Sequence, residues 1–543
     1  MSDSSRSHLN KVYWCQACGV PLLQPQCGNC GEHGLEMVSD IRPMFEGEKR
    51  LLEEWIDEML PGPTSALWMR RKTVWHQGRR YLSLSADGHP RITRRYAALP
   101  SNHSDSVPTP EVLMKANASA LRELETETIN FIKQTVDQLD GRIPVVSFSG
   151  GKDSTVVSVL VRKALETDEI PHIFSDTTIE FPDTYEYFNR CRDLWPIIPW
   201  HITVSPNNWF EMCDLFRPPS RFLPWCCSVF KTSGVFEIHR RDFPKARILN
   251  FQGIRAVESS LRRRLPRVHH SKKVSTEICA EPIFYWKDVH VWLYLLANKI
   301  PFNQAYRKGC LRVGCLYCPH QSEYQQAISE SLYPEKMKKW RDYICDFATR
   351  LDKTAPQDYW ESGSWKWRVG AGQQKVPPKA EAKECSDGPN IMNFILEEDC
   401  TDGCAEFLKP FGSVMSSMSA LGRFHVVSGP GDTPLFQVQV VPGFPRARVI
   451  FADGGPSKAL VDGLSRQLRK AQVCVACGAC ASTCPQKAIK VDGKFTIDDS
   501  KCTHCGLCMR TTRIPSSCIA LEVYRRRGKR SGNQLQQELP SLP

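Results

Sequence analysis

"SFSGGKDSTVVS", residues 147–158, is the stretch that decides the fold. It follows an apolar run, "IPVV" at 143–146, and leads into apolar positions at helical spacing over 154–166. A loop that leaves a buried strand and enters a helix aims its backbone N–H groups at one point. The helix N-terminus adds roughly half a positive charge there. Gly150 and Gly151 let the main chain approach an anion closely. Lys152 contributes a full charge and Ser154 a hydroxyl, while Ser149 and Asp153 complete the set S-G-G-K-D-S. Such a nest suits a phosphate or pyrophosphate. The spacing is not that of the G-x-x-x-x-G-K-[ST] loop. A glycine-rich turn with solvated polar residues is the bland alternative, and the strand–loop–helix order argues against it.

Outward from this loop the pattern alternates. "HIFSD" (172–176), "WHITV" (200–204) and "RILNFQG" (247–253) read as strands, and 182–194 as a helix. That alternation implies an α/β domain with a parallel sheet and helices on both faces. A long helix over 111–140 opens it, and the nucleotide domain is expected to span 111–350. Upstream stand a cysteine ribbon at 11–34 and a small basic β-rich domain at 40–100. The latter carries an amphipathic helix over 45–60 and hairpin turns at Gln77-Gly78 and Asp87-Gly88. A soft linker covers 99–110. Downstream follow a polar linker at 373–390, a segment of no evident class at 391–465, and a cysteine-rich module at 470–524. The basic, polar tail at 525–543 reads as disordered.

A chain of 543 residues exceeds what one core organises, in keeping with several domains. Its 41% hydrophobic and 24% charged residues are ordinary for a globular protein. No apolar run of about 18 residues is present, and the first ten residues lack an apolar leader. The expectation is a cytoplasmic chain with no membrane partner. Lys and Arg number 71 against 59 Asp and Glu, a net charge of +12, clustered enough to permit polyanion binding without demanding it. Arg70, Arg71, Lys72, Arg79, Arg80, Arg94 and Arg95 alternate with Trp68, Trp75, Tyr81 and Tyr96. Guanidinium groups and aromatic plates together can hold RNA; a solvated charged face is the alternative. "RRR" at 262–264 and "HHSKK" at 269–273 add further basic patches.

The 24 cysteines fall into close groups, which favours metal ligation over disulfides. Cys15, Cys18, Cys27 and Cys30 form C-x2-C-x8-C-x2-C, the spacing of a tetrahedral structural zinc, with rubredoxin-like iron as rival. Cys474, Cys477, Cys480 and Cys484 form C-x2-C-x2-C-x3-C-P, the bacterial ferredoxin run. Cys502, Cys505 and Cys508 begin a second run, with Cys518 as its fourth member at a longer spacing. In two-cluster ferredoxins the fourth cysteine of each run ligates the other cluster. One cluster would therefore take Cys474, Cys477, Cys480 and Cys518, and the other Cys502, Cys505, Cys508 and Cys484. Cys226 and Cys227 are adjacent, and Cys315 and Cys318 stand three apart. Adjacent thiolates cannot comfortably chelate one ion but can reach two irons of a cubane. A pair of buried thiols beside an unrelated zinc half-site is the alternative.

The loop resembles the PP-loop of the ATP-pyrophosphatase and PAPS-reductase superfamily, whose fold is the adenine-nucleotide α-hydrolase-like one. The resemblance extends over about 143–325. "FSDTTIEFPDTYEY" (174–187) resembles the family's second strand and following helix, which implies Asp176 and Glu180 near the nucleotide. "GIRAVESSLR" (253–262) resembles its G-I-R-x-x-E-S segment, which implies Gly253 at the nucleotide and Arg255 and Arg262 facing an anionic substrate. "EPIFYW" (281–286), followed by "VWLYL", resembles the segment closing the domain. The pattern C-C…C-x-x-C resembles the [4Fe–4S] site of assimilatory APS reductases and of the PP-loop subunit in DNA phosphorothioation, and Lys231 matches a basic residue beside that cluster. The whole chain resembles PAPS-reductase-like proteins of anaerobes and methanogens that carry a zinc ribbon and a ferredoxin module.

The resemblance implies an enzyme of sulfur metabolism using ATP, APS or PAPS, with magnesium as a companion ion. Its catalytic candidates are Lys152, Asp153, Arg255 and Lys231. Family members that split ATP keep the complete S-G-G-K-D-S, as this chain does, which favours adenylation followed by sulfur transfer, with RNA as an acceptor class. Sulfite-forming APS or PAPS reduction, with the ferredoxin module or a redox partner supplying electrons, is the second reading. The Glu-Cys-Gly-Leu-His segment of thiol-dependent reductases is absent from the sequence. A nucleic-acid-binding redox sensor without catalysis is the third.

Overall fold

A computed structural model describes residues 11–85, 88–96, 108–367, 379–400, 403–452, 455–509 and 518–524. The first ten residues, Asp87 of one turn, most of the 99–110 linker, the first part of the 373–390 linker and the 525–543 tail lie outside the described residues. Two compact units result: one ends at Trp367, residues 214–217 excepted, and the other takes the described residues from 379 onward.

The first unit centres on a six-stranded sheet. Its order is Trp200–Val204, His172–Asp176, Arg142–Ser147, Arg247–Phe251, Glu277–Ala280 and Val268–His270. The first five are parallel, and the last runs antiparallel at the edge. In chain order the parallel strands therefore read 3-2-1-4-5. Order reverses between Arg142–Ser147 and Arg247–Phe251, and a crevice opens outside their carboxyl ends, the usual ligand site of open α/β sheets. Val145 and Val146 are fully buried, as a strand covered on both faces requires.

The long helix Pro110–Gln138 buries Ala116, Ala120, Leu121, Leu124 and Ile132 in one core with Val156, Val157 and Leu160 of the helix Lys152–Leu165 and Val289 and Leu293 of the helix Asp288–Ala297. Thr109 caps it, accepting from the Val112 amide, and Pro110 takes its first turn, where a missing N–H costs nothing. The cysteine ribbon docks on this helix. Asn117 accepts from the Leu23 amide at 2.9 Å and donates to the Pro21 carbonyl at 3.0 Å. A five-stranded antiparallel sheet follows the ribbon, in the order Arg42–Pro43, Leu67–Arg70, Thr73–His76, Arg79–Leu84 and Ile92–Arg95. Left-handed backbone at Gln77 (φ 45°) and Gly78 (φ 77°) closes its tight hairpin.

The sequence reading ended the nucleotide domain at 350. The helices Pro356–Glu361 and Ser364–Trp367 extend it, with Trp360 and Trp365 stacked at 5.7 Å and Trp365 edge-on to Trp340 of the helix Pro334–Thr349.

The second unit gives the unclassified 391–465 segment an architecture. Six antiparallel strands stand in the order Ala380–Glu384, Ile391–Leu396, Arg446–Phe451, Pro434–Val440, Gly422–Ser428 and Ser413–Ser419. Its first strand lies inside the stretch read as linker. The helix Lys458–Val473 packs on the sheet through Leu464 and Leu468 and crosses the expected boundary at 465–470. Among the described residues no helix is long and apolar enough to cross a membrane.

Candidate active site

The loop after Arg142–Ser147 is built for a tight approach. Gly150 has φ 70°, and a Cβ there would lie 2.9 Å from Thr184 Cγ2. Asn303 donates to the Gly150 carbonyl at 3.2 Å, and the Lys152 amide donates to Tyr306 Oη at 3.1 Å. Ser154 Oγ donates to the Gly151 carbonyl and accepts from the Ser149 amide. Across the crevice, Gly253 follows the strand Arg247–Phe251. A Cβ on it would meet the Asp153 carbonyl carbon at 2.9 Å. Glycine at 253 is what lets the two strand ends close on each other.

Four charges interlock there. Lys152 Nζ stands 2.7 Å from Asp153 Oδ2 and 3.2 Å from Asp288 Oδ1. Arg255 reaches Asp153 Oδ1 at 2.8 Å through Nε and Asp288 Oδ1 at 2.8 Å through Nη2. Lys152 and Arg255 are buried. Burial and Arg255 oppose the Lys152 charge, but Asp153 and Asp288 outweigh them and hold its pKa above the ordinary value. Burial likewise works against ionised Asp288, and Lys152 with Arg255 holds its carboxyl far below the usual range. Among the described residues Arg255 Nη1 is buried with no hydrogen-bond partner. An anion in the crevice would give it one. Asp40, from the segment after the ribbon, accepts from the Asp288 and Val289 amides and so fixes the helix start that carries Asp288.

The other nucleotide candidates separate. Arg262 stands half-exposed at the rim, paired with Glu258, which also accepts from the Arg255 amide at 2.9 Å. Asp176 is tied locally, accepting from the Thr178 amide and Tyr185 Oη. Glu180 faces thiols: its Oε1 is 3.7 Å from Cys315 Sγ and 3.5 Å from Lys231 Nζ, and it accepts from Thr177.

Cys226 precedes a π-helical turn, Cys227–Thr232, and Cys315 forms a β-bridge with Glu180. The fold thus brings the two cysteine pairs into one neighbourhood. The hydrogen bond between Cys226 and Cys227 pushes Cys226 up and Cys227 down, and charge on Cys315 or Cys318 further opposes ionisation of Cys226. Cys15, Cys18, Cys27 and Cys30 differ: all four sulfurs lie within 4.8 Å of one another. Among the described residues no other group of three or more metal-binding side chains is that tight. The ribbon therefore fits a single ion, and the wider Cys226, Cys227, Cys315 and Cys318 group fits a larger centre.

In the second unit two recesses divide the eight cysteines of the two ferredoxin-type runs. One is lined by Cys474, Cys477, Cys480 and Cys518. The other is lined by Cys484, Cys502, Cys505 and Cys508. Each recess thus gathers four thiols, the ligand number of a [4Fe–4S] centre. The fourth cysteine of each run crosses to the other group, Cys518 included. Lys470 lines the first recess, and its buried Nζ finds no hydrogen-bond acceptor among the described residues.

The basic face is narrower than its sequence pattern. Trp68 and Trp75 are core residues, 4% and 5% exposed, so they offer no free plates. Arg95 is held by Glu58 at 2.5 and 2.7 Å. Arg94 lies 4.9 Å from the Tyr96 ring, and Arg80 lies 5.9 Å from it. Sequence reasoning missed Asp288, Asn303, Tyr306, Asp40 and Lys470. Of these, Asp288 carried a signal: an acidic residue opening the apolar helix "DVHVWLYLLA".

Residues 143–321 match the phosphoadenosine phosphosulfate reductase domain family, and 473–511 match the 4Fe-4S dicluster domain. An uncharacterized protein of Methanocaldococcus jannaschii is 30% identical over 258 residues, 48% of this chain and 52% of that protein. The chain thus spans about half the length of that relative. The adenosine 5'-phosphosulfate reductase of Halalkalibacterium halodurans is 25% identical over 178 residues, 32% of this chain and 73% of that protein. Among solved structures, a U34-tRNA thiolase from Methanococcus maripaludis, containing its [4Fe-4S] cluster, aligns with TM-score 0.29 and 13% identity, over 51% of this chain and 89% of that one. Residues 143–321 are thus a phosphoadenosine phosphosulfate reductase domain, carried in one chain with a 4Fe-4S dicluster domain and an N-terminal four-cysteine group.

Proposed function

We propose that this chain is an ATP-dependent, adenylating sulfur-transfer enzyme. The observation that carries the reading is the complete S-G-G-K-D-S loop at the sheet's switch point, facing a buried Arg255 whose Nη1 lacks a partner. In the first step an acceptor oxygen bonds to the α-phosphorus of ATP, the bond to the bridging oxygen breaks, and pyrophosphate leaves. Lys152, the loop amides and Arg255 stabilise the charge that develops on it. Asp153 and Asp288 keep both cations pre-aimed, and Asp153 would be the residue to hold an accompanying magnesium ion, which would supply further charge to the phosphates. In the second step a sulfur nucleophile bonds to the acceptor carbon, the carbon–oxygen bond breaks, and AMP leaves. A persulfide donor would leave a disulfide whose cleavage takes two electrons, the number that two one-electron centres in the dicluster domain supply.

Cys226, Cys227, Cys315 and Cys318 would hold a [4Fe–4S] cluster that supplies redox and sulfur-binding chemistry beside the crevice. Lys231 and Glu180 set the local charge there and orient Cys315. Zinc would fill the ribbon. Arg80, Arg94 and Tyr96 form the face on which an RNA acceptor would rest its phosphates and a base.

The second reading is sulfonucleotide reduction, favoured by the adenosine 5'-phosphosulfate reductases among the relatives. Anaerobic protein given ATP, and separately APS or PAPS, distinguishes the two. Pyrophosphate release stimulated by RNA supports the adenylating reading. Sulfite formation from APS or PAPS without pyrophosphate release overturns it.

A further inference from the structure

Within the second unit, the two cysteine recesses are not equivalent. Lys470 lies on the helix Lys458–Val473, outside both cysteine runs, yet its side chain lines the recess of Cys474, Cys477, Cys480 and Cys518. Lys470 is 3% exposed. Its Nζ has no hydrogen-bond acceptor among the described residues; it rests 4.5 Å from the Phe495 ring and 5.8 Å from Phe407. Those rings stack on each other at 4.8 Å. A buried ammonium among aromatic rings, aliphatic side chains and thiols is costly unless an anion stands before it. The recess lined by Cys484, Cys502, Cys505 and Cys508 has no lysine or arginine among its described lining residues. His504 Nδ1 there meets the Lys409 carbonyl at 2.7 Å and lies 3.8 Å from Cys502 Sγ, a neutral ring nitrogen's contact rather than a buried ammonium's.

We infer that Lys470 is a potential-setting residue: it makes the centre held by Cys474, Cys477, Cys480 and Cys518 the higher-potential one of the pair. The inference rests on the two-cluster reading of the module and is independent of the nucleotide substrate. Reduction adds negative charge to a thiolate-bound cluster, and a fixed cation with hydrogen-bonding capacity favours that reduced state. An electron entering at the other centre therefore moves toward Lys470 and stays there. Lys470 is buried, so its field is weakly screened. The helix that carries Lys470 also packs on the six-stranded sheet through Leu464 and Leu468, so the lysine is held from outside the cysteine loops.

The test is a potentiometric EPR titration of the anaerobically reconstituted full chain, with iron and sulfide analysis on the same sample. Lys470→Met should keep the iron content. It should move the more positive of the dicluster reductions negative by at least tenfold in the oxidised-to-reduced ratio, about 59 mV for one electron. The other reductions should shift less, and Lys470→Arg should stay near the parent. Unchanged potentials in Lys470→Met, or equal shifts of both centres, would overturn the inference. So would loss of one cluster's iron in both Lys470→Met and Lys470→Arg, which would make the lysine an assembly residue. Absence of two clusters from the parent itself would instead refute the two-cluster reading.

Discussion

The ribbon and the parallel-sheet domain each gather four cysteines, by opposite means. In the ribbon two knuckles twelve residues apart do the work. Strands of three residues fix Cys15 and Cys18, and the Gly31 amide returns to the Cys27 carbonyl at 2.9 Å. In the parallel-sheet domain, Cys226 and Cys227 reach Cys315 and Cys318 only because strands and helices between them pack as they do. The first group is tight enough for one ion. The second is wider and touches Glu180 and Lys231. A locally built group can serve stability alone, whereas a tertiary one couples its contents to the packing of the fold.

The largest expected effect falls on the tertiary group. Cys315→Ser should remove about four irons per chain and lower turnover more than about a hundredfold, while ATP binding and the ribbon's metal persist. Metal analysis beside calorimetric ATP titration reads all three. Iron unchanged in the variant would mean that these thiols do not share a cluster.

Cys15→Ser tests the other side. Cys15 is fully buried, and a structural ion contributes folding energy outright. The variant should lose one metal per chain and melt about 5–10 °C lower. Its pyrophosphate release per folded molecule should stay near the parent's. A loss of turnover without a change in melting would erase the contrast between the groups.

A third probe separates the sheet from both groups. His172 is buried, held by Ser158 Oγ and the Ile170 carbonyl at 2.8 Å each, and burial lowers its pKa to about 4. The unfolded chain takes up the proton near 6.5, so between those values unfolding binds it and folding does not. The stability His172 confers is complete above pH 6.5 and is lost as pH falls toward 4. Relative to a His172→Gln variant, the parent should lose about 3 kcal/mol over that interval. Urea midpoints of the two proteins at pH 7 and pH 4.5 measure it, and parallel midpoints would deny the burial.

Part of this contrast was legible in the sequence. The strands His172–Asp176 and Trp200–Val204 and the helix Pro182–Leu194 are where periodicity puts them, because apolar runs end at proline or polar turns. The phosphate loop was legible because one short stretch carries its strand end, glycines and helix start. Trp68 and Trp75 misled, since alternation with arginine marks a half-buried sheet as readily as a stacking surface. The 391–465 sheet escaped although "PLFQVQV" alternates with period two, because the sheet's edge strands, such as "SVMSSMS", are polar. Asp288, Asn303 and Tyr306 reach the loop from more than a hundred residues away, and no local pattern announces a tertiary contact. Glu180 was read toward the nucleotide and stands instead beside Cys315.

The smallest effect offers the finest discrimination, because it compares two glycines. Gly253 faces the phosphate loop, and an added methyl would sit 2.9 Å from the Asp153 carbonyl carbon and 3.0 Å from the Ser154 amide nitrogen. Gly314 adjoins Cys315, and a methyl there meets nothing within 4 Å. Neither position has left-handed backbone, so alanine strains neither through φ. Gly253→Ala must push the loop from the strand end by a few tenths of an ångström, which misplaces the Lys152 and Arg255 charges relative to each other. Its ATP affinity should fall about tenfold, roughly 1.4 kcal/mol, within the usual cost of one inserted methyl. Gly314→Ala should bind ATP and iron like the parent. Equal affinities for ATP in the two variants would mean that the crevice between the strand ends is not where the nucleotide's phosphates lie.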